Sequence, residues 1–545
     1  MTLTETRPDH IENQAPGAPQ SVARGNWLTT ADHKRVGLLY LGASIVFLLV
    51  GVTLGVVMRI ELAGQGVQIV GNDYGRILSM HATVMTMLFL SPLWLGLATY
   101  LVPLQIGAPR LALPRLQAAA FWSFLAGGGV VVAAYIVDRP AGMGLGLSTP
   151  ITAQGPANHG TNLLIAGLII LAIATLLASA NLIVTIALLR TEGMTFGRLP
   201  LFTWATLWTA TISLLTTPVF VAGLLLLYLD QHFGGSFFAP TNPVAQITWQ
   251  HTLWLFGRPD AFLLLLPALG AASDIVTTHA RRGLLASMPV RISIAAFAVL
   301  SLGSLAAGMS VQSSVVLPTY SGLTGLVALP VAVIALVWLG TLRFGDVRLH
   351  VTLVYVACAL ALLLFGAANV AVAAINKVDG GTAWSTGHLH VVIFGAPTLL
   401  AFAAVYHWAP KLWGRHLNQG IGILQALALV GGFLIMGLAS YLLGYDGAPW
   451  HVADTGPKGG WVNLERLASA GGVLVAVGAL LFLVNLLTSV AMGRGEVAED
   501  DPWEGLTLEW ATSSPPPAHN FDFIPEVRSE TPLLDVRSAP TGGAA

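Results

Sequence analysis

Three histidines stand inside apolar stretches of the sequence, where an ionisable side chain is costly and marks a functional candidate. His388 and His390 occur in TAWSTGHLHVVIFGAP, and His81 occurs in RILSMHATVMTMLFL. On a helix that turns by about 100° per residue, side chains two positions apart point in nearly opposite directions. We therefore expect His388 and His390 to bind two different groups.

The stretches that carry these histidines enter the predicted membrane from the same side, so the three imidazoles share one depth. Imidazoles at a common depth are typical of haem ligation, with one iron between His81 and one member of the pair and a second iron on the other member. The alternative is that each imidazole hydrogen-bonds a neighbouring carbonyl group. A single histidine favours that alternative, whereas three at one depth favour haem.

A pair of opposite charges lies in another apolar stretch, WQHTLWLFGRPDAFLLLLPALG. Arg258 and Asp260 would form an ion pair that makes both charges tolerable in a low dielectric. In the functional interpretation, Asp260 is an acid that handles protons within the membrane. Pro259, between them, would kink the helix. The sequence leaves both interpretations open.

The composition places all of these residues in a membrane. The 545-residue chain is 55% hydrophobic and 9% charged, whereas a soluble domain carries roughly 25% charged residues. Twelve apolar segments are each long enough to cross a bilayer as a helix. We therefore predict an all-α integral membrane protein, a bundle of twelve transmembrane helices. The predicted spans are 36–58, 77–104, 117–137, 162–189, 203–229, 246–272, 289–309, 320–342, 351–376, 384–410, 421–444 and 462–492.

Lysine and arginine concentrate in the loops on one side of these spans. The positive-inside rule then places both termini in the cytoplasm, in agreement with an even number of spans. We expect a disordered cytoplasmic arm at 1–30, a haem-binding membrane domain at 31–495 and a soluble cytoplasmic tail at 496–545. The chain has one cysteine, Cys358, so it has no internal disulfide and no thiolate metal site.

Six motifs run nearly from one end of the chain to the other. They are TTADHKRVGLLYL (29–41), HATVMTMLFLSP (81–92), VPLQIGAPRLALPRLQAAAFW (102–122), LDQHFGGSFFAPT (229–241), WQHTLWLFGRPDAF (249–262) and DPWEGLTLEWATSSPPPAHNF (501–521). In these motifs and their order the chain resembles subunit I of the haem-copper oxidase superfamily, most closely that of cytochrome c oxidase and quinol oxidase. The resemblance implies twelve helices with both termini inside.

The resemblance also assigns roles to the three histidines. It implies that His81 and His390 hold a low-spin haem between them, and that His388 binds a high-spin haem at which oxygen is reduced. Two haems on opposite faces of one helix would give electrons a short path. We therefore expect two haems as cofactors.

The copper centre that the family places opposite the high-spin haem lacks its ligands in this sequence. Arg258 stands at the position of one ligand histidine, and Phe262 stands at the position of the tyrosine in the same segment. No histidine lies between His279 and His350, so the family's adjacent histidine pair is missing as well. A guanidinium has no free lone pair for a metal. We expect no copper, with Arg258 and Asp260 as altered active-site residues.

Further departures fall on positions that the family uses for proton uptake, for the haem propionates and for a magnesium site. Asp260 does keep a carboxylate where the family has a glutamate, so it remains a candidate proton relay. The substituted positions are Arg110 (channel acid), Ile334 (membrane lysine), Leu443 and Gly444 (propionate arginines), and Gly380 and Gly381 (magnesium histidine and aspartate).

These observations predict a divergent member that carries respiratory electron transfer through two haems, with impaired oxygen reduction and proton pumping. One alternative is an atypical terminal oxidase or an enzyme of the nitric oxide reductase type, with non-haem iron near Asp260. Another is a non-catalytic pseudo-oxidase subunit or a gas-sensing haem protein. The expected setting is a bacterial plasma membrane. The expected partners are other respiratory subunits, with cytochrome c or a quinol as electron donor and no nucleic acid.

Overall fold

A computed structural model describes the chain at residues 26–64, 69–138, 158–238, 255–303, 326–376, 378, 381–450, 452 and 460–538. Within 255–263, and at position 72, it describes the backbone alone. In these residues the regular structure is helical, and β pairing is limited to two isolated bridges. The prediction of an all-α fold is confirmed. The predicted arm at 1–30 lies almost entirely outside the described residues.

Twelve long helices follow one another along the described chain, and a short one closes it. Several of them contain a π-helical turn, which is counted here as part of the helix. They are α1 (His33–Ala63), α2 (Tyr74–Gln105), α3 (Pro114–Val137), α4 (His159–Leu188), α5 (Leu201–Phe233), α6 (Leu255–Ala280), α7 (Ser287–Gly303), α8 (Ala328–Arg343), α9 (Val351–Asn376), α10 (Trp384–Trp413), α11 (Gln419–Tyr445), α12 (Trp461–Ala491) and α13 (Pro532–Ser538).

Nine of the helices in the described residues are long and apolar enough to cross a membrane, namely α1 to α5 and α9 to α12. Their ends agree with the predicted spans to within a few residues. The other three predicted spans coincide with α6, α7 and α8, of which α7 and α8 are apolar but shorter in the described part. The multi-pass membrane fold is therefore confirmed, while the number twelve stays a prediction.

Local sequence signals explain where several helices begin and end. Asp32, Asn158 and Asn418 precede α1, α4 and α11, and each side chain accepts a hydrogen bond from a backbone N–H of the first turn. Such caps satisfy donors that have no partner inside the helix. Gly234 and Gly414 end α5 and α10 in the left-handed conformation, which costs glycine no steric penalty.

Small residues let neighbouring helices approach closely. At the crossing of α11 and α12, a Cβ atom built on Gly432 would lie 2.7 Å from the carbonyl oxygen of Gly471, and the reverse distance is also 2.7 Å. Neither position can carry a side chain without moving a backbone. Close packing of this kind holds membrane helices together, because in apolar lipid there is no hydrophobic effect to drive their association.

The C-terminal tail packs across one end of the bundle. We call this end, where α1 begins and the tail lies, the terminal face, and the opposite end the distal face. Lys34 at the start of α1 donates to Asn520 of the tail at 2.7 Å. The Nζ atom of Lys411 donates to the carbonyl oxygens of Asp500 at 2.9 Å and Thr512 at 2.5 Å. The segment predicted as a soluble tail therefore packs on this end of the bundle as far as Ser538.

Four histidine rings surround the indole of Trp503 at the terminal face. Their ring centroids lie 4.6 to 6.2 Å from that of Trp503, and Trp503 Nε1 donates to the backbone oxygen of one of them, His407, at 2.8 Å. Burial lowers the pKa of another, His350, to about 4, so that ring stays neutral at neutral pH. The cluster joins the tail to α6, α9 and α10. Its histidines are His279, His350, His407 and His416.

Replacing Lys411 with methionine should loosen the tail. The substitution keeps an unbranched side chain but leaves three backbone oxygens, those of Asp500, Thr512 and Ser513, without their donor. The bond to Thr512 is buried, whereas those to Asp500 and Ser513 are only part-buried. At about 1–3 kcal/mol for an unsatisfied buried group, we expect the tail to lose about 1–3 kcal/mol of docking free energy. Limited proteolysis within 496–538, or amide hydrogen exchange there, measures the change.

Arg528→Met is the matched control, because Arg528 is exposed and pairs only within the tail, with Glu526 at 2.6 Å. Equal protection of the tail in the two variants would contradict the role of Lys411 as its anchor.

Candidate haem sites

His81 lies in the second turn of α2 and faces α1. Its Nδ1 atom is 2.9 Å from the backbone oxygen of Gly51. A Cβ atom built on Gly55, one turn further along α1, would lie 3.0 Å from Cε1 of the same ring. Two glycines of α1 therefore supply the acceptor and the space that hold this imidazole in one orientation.

His390 lies in the second turn of α10 and is held in the same way. Its Nδ1 atom is 2.8 Å from the backbone oxygen of Thr386. Arg59 and His81 are among the charged and titratable groups close enough to act on it electrostatically. The structure thus brings His81 and His390 to one region.

The hydrogen bond to a backbone oxygen decides which nitrogen of each ring is free to bind a metal. With Nδ1–H donating to a carbonyl, Nε2 carries the free lone pair that a metal requires. Nε2 of His81 and of His390 has no hydrogen-bond partner among the described residues. Metal-binding histidines in proteins nearly always donate their other N–H to such an acceptor. Both residues therefore fit haem ligation by the chemistry of their donor atoms.

A π-helical turn accompanies each of these histidines. Val84–Leu90 forms one just after His81, and Leu389–Gly395 forms another that contains His390. Such turns are rare and occur frequently at functional sites. Nothing in the residue pattern predicted them.

His388 lies two residues before His390, at the end of the first turn of α10, and has different surroundings. The indole of Trp384 stacks on its ring, with the centroids 5.1 Å apart and the planes 8° from parallel. Tyr441 of α11 lies against Trp384, with ring centroids 5.6 Å apart. The two neighbouring histidines of α10 thus have different surroundings, while their binding of two groups stays a prediction.

An ion pair next to the first two histidines was not singled out by the sequence. Arg59 at the distal end of α1 lies 3.5 Å from the carboxylate of Glu465 in α12, and both side chains are largely buried. The oxygen of Arg59 also accepts a bond from Ser469 at 2.8 Å. Arg59 acts electrostatically on His81 and on His390. The available signal was the position of Arg59 near the distal end of α1, a helix with no other lysine or arginine after Arg35.

The predicted residues of the altered copper position lie in α6. Arg258, Asp260 and Phe262 fall within 255–263, where side chains are outside the described part, so their predicted pairing and roles stay predictions. Among the other substituted positions, Ile334 is buried in α8, Arg110 is exposed, and Gly380 is outside the described residues. Among the described residues, no three histidine, cysteine, aspartate or glutamate side chains are placed to share a metal ion.

A cavity of about 110 Å³ lies among α1 to α6, next to that part of α6. Its lining includes Tyr40, Trp94 and Thr206, each with a buried polar atom that has no partner. Polar atoms of this kind are normally satisfied by internal water. The lining also includes Leu264, one helical turn after Asp260.

A chain of hydrogen bonds lies beside the cavity. Gln117 donates to Thr99 at 2.8 Å, and Asn181 donates to Gln117 at 3.0 Å. All three side chains are fully buried. Thr99 directly follows Ala98, and Asn181 directly precedes Leu182, and these two neighbours line the cavity. The polar chain therefore lies next to the part of the lining that α2 and α4 supply.

Comparison with known proteins identifies the family. The family model described as Cytochrome C and Quinol oxidase polypeptide I matches residues 35–474. The chain belongs to this family. A putative cytochrome c oxidase subunit 1-beta of Streptomyces avermitilis is 36% identical over 527 residues, which are 95% of this chain and 93% of the relative.

Two other relatives are also similar over nearly the whole chain. A probable cytochrome c oxidase subunit 1-alpha of Streptomyces coelicolor is 35% identical, with 97% of this chain and 93% of the relative covered. The cytochrome c oxidase subunit 1 of Corynebacterium efficiens is 31% identical, with 98% and 94% covered. The chain is thus a multi-pass membrane protein of a bacterial respiratory oxidase family, which implies haem cofactors, electron transport and assembly with other subunits.

Replacing Gly55 with valine should displace the imidazole ring of His81. The two methyl groups of valine would lie where the imidazole ring now stands, since even a Cβ atom is 3.0 Å from it. We expect a haem between His81 and His390 to bind roughly tenfold or more weakly than in the wild type. Changes of this size are typical when a residue that orients a metal ligand is replaced. The haem content and the reduced-minus-oxidised spectrum of the purified protein measure this.

Gly42→Val on the same helix is the control, because a Cβ atom there has no neighbour within 4 Å. Equal loss of haem from both variants, or equal retention in both, would contradict the specific contact between Gly55 and His81.

Proposed function

We propose that this member of the family transfers electrons in the membrane through a low-spin haem on His81 and His390 and a high-spin haem on His388, without a copper centre. Rapid four-electron reduction of oxygen and proton pumping are then impaired. The observation that carries the proposal is the orientation of His81 and His390, whose Nδ1 atoms lie 2.9 and 2.8 Å from backbone oxygens, leaving Nε2 for iron.

Haem, when bound, supplies one-electron redox chemistry. The residues of this chain hold and tune it. The carbonyl oxygens of Gly51 and Thr386 fix the two imidazoles and increase the basicity of their Nε2 atoms. The ion pair of Arg59 with Glu465 adds a buried, nearly compensated charge beside them, which limits the electrostatic cost of burying either partner.

His388 is the proposed ligand of the second haem. It lies two residues from His390 on α10, so the two irons would sit on opposite sides of one helix. The stacked indole of Trp384 restricts rotation of the imidazole. Electrons would pass from the first haem to the second through this short stretch of α10.

The proposed absence of copper rests on the sequence. Arg258 and Phe262 stand where the family resemblance calls for a histidine and a tyrosine, and no adjacent histidine pair occurs between His279 and His350. Arginine is always protonated and cannot ligate a metal. It supplies a fixed positive charge instead.

Impaired proton delivery is supported by the cavity next to α6. Gln117 and its partners next to this cavity are hydrogen-bonded to one another, which leaves few of their groups to bind a water chain. Arg110, an exposed cation in the loop after α2, would repel protons approaching that end.

The electron donor and the setting belong to the same proposal. We infer a plasma-membrane location with both termini in the cytoplasm, and cytochrome c or a quinol as the donor. With Cys358 as the only cysteine, a copper centre for electron entry would have to be carried by another subunit.

Spectroscopy and metal analysis of the purified protein test the proposal. We expect two haems per chain, one of which binds carbon monoxide in the reduced state, and no stoichiometric copper. His388→Ala should abolish the carbon monoxide difference spectrum and keep the low-spin signal, whereas His390→Ala should remove the low-spin signal.

His519→Ala serves as the control, because His519 is exposed in the tail and pairs with Asp522. One copper per chain would refute the copper-free proposal and call for an oxidase assay. Stoichiometric non-haem iron would favour chemistry of the nitric oxide reductase type, and a single haem environment would rule out the two-haem arrangement.

A further inference from the structure

We propose that Trp384 and Tyr441 form a binding site for the carboxylates of the haem on His388, in place of cationic side chains. The Nε1 atom of Trp384 and the hydroxyl of Tyr441 are both buried and have no hydrogen-bond partner among the described residues. Both are donors, and a buried donor without an acceptor is costly. They meet each other beside His388, with ring centroids 5.6 Å apart.

The position of the two residues relative to His388 suits a propionate contact. Trp384 begins α10 and stacks on His388 one turn later. Tyr441 packs against the same turn, where a Cβ atom on Gly387 would lie 3.1 Å from its Cδ1 atom. The side chain of Tyr441 is fully buried, so its hydroxyl has no contact with bulk water. Two N–H or O–H donors next to a haem ligand match the two carboxylates that a haem carries.

The direction in which a haem would point follows from solvation. Its propionates are ionised and avoid the centre of the bilayer. His388 lies one turn from the start of α10 at the distal face, so this end of the helix is the nearer aqueous boundary. The carboxylates of a haem on His388 would therefore be directed toward Trp384.

The packing of α11 excludes a cation from the same place. A Cβ atom on Gly444 would collide with the backbone and Cβ of Trp384, so no arginine fits at that position unless Trp384 moves. The preceding Leu443 is buried in an apolar cluster with Ala383 and Trp461. Trp384 thus occupies the space that an arginine at 444 would need, and it brings a neutral donor there.

This inference rests on the proposed haem at His388, and its test separates the two. In the full-length protein, Tyr441→Phe removes only the hydroxyl, and Trp384→Phe keeps an aromatic ring while removing the N–H. Resonance Raman spectra of the reduced, carbon monoxide-binding haem report the propionate bending modes. Transfer of that haem to an excess of a haem scavenger reports its retention.

We expect both variants to shift the propionate modes, and Tyr441→Phe to release the haem about tenfold faster, as for loss of one hydrogen bond to a charged group. The midpoint potential of this haem should fall, because a carboxylate with fewer donors keeps more negative charge beside the iron. The low-spin spectrum of each variant shows that the protein is folded.

Tyr445→Phe is the matched control, one turn along α11, because its hydroxyl already donates to Asn369 at 3.0 Å. If Tyr441→Phe and Trp384→Phe match the wild type and this control in modes, release and potential, the site is refuted while the haem on His388 stands. If the wild type has no carbon monoxide-binding haem, the proposed function and this site both fail.

Discussion

The structure depends on how an imidazole can be held where there is no water. Inside a bilayer a histidine must pair both nitrogens or leave one to a metal. His81 and His390 meet this constraint alike, since each places Nδ1 within 2.9 Å of a backbone oxygen. Backbone oxygens cannot be lost by substitution. They accept a hydrogen bond only if the helix geometry places them within reach of the ring nitrogen. This requirement explains why Gly51 and Gly55 approach α2 so closely and why π turns accompany both histidines.

The sequence sufficed for those features that depend on residue type alone. Apolar stretches of about 20 residues specify membrane helices almost regardless of their neighbours, and α9 and the start of α10 lie where predicted. The partners could not be predicted. A backbone oxygen has no residue signature, and Arg59 and Glu465 are 406 positions apart in the chain. The docking of the tail could not be predicted, because its polar composition indicates only a soluble segment, while Lys411 binds it through backbone atoms.

The two faces of the bundle are built by different means. At the terminal face the tail supplies backbone oxygens to Lys411 and the indole of Trp503, against which four histidine rings pack. The distal face carries the ion pair of Arg59 and the start of α10, and its contacts come from helix ends. In the proposed function the distal face is the one close to the haems, because all three proposed ligand histidines lie in the first two turns of helices that begin at this face.

Charge near the proposed second haem has been redistributed rather than merely lost. A cation favours the reduced state of a nearby haem, and an uncompensated carboxylate favours the oxidised state. In the proposed function, Arg258 in place of a copper ligand would keep one positive charge, whereas the neutral donors Trp384 and Tyr441 would compensate propionates less than an arginine pair. The two proposed substitutions would therefore act on the potential in opposite directions. Electron transfer from the first proposed haem to the second would depend on their difference, so a hydrogen bond from the Tyr441 hydroxyl to a propionate would help to set the driving force.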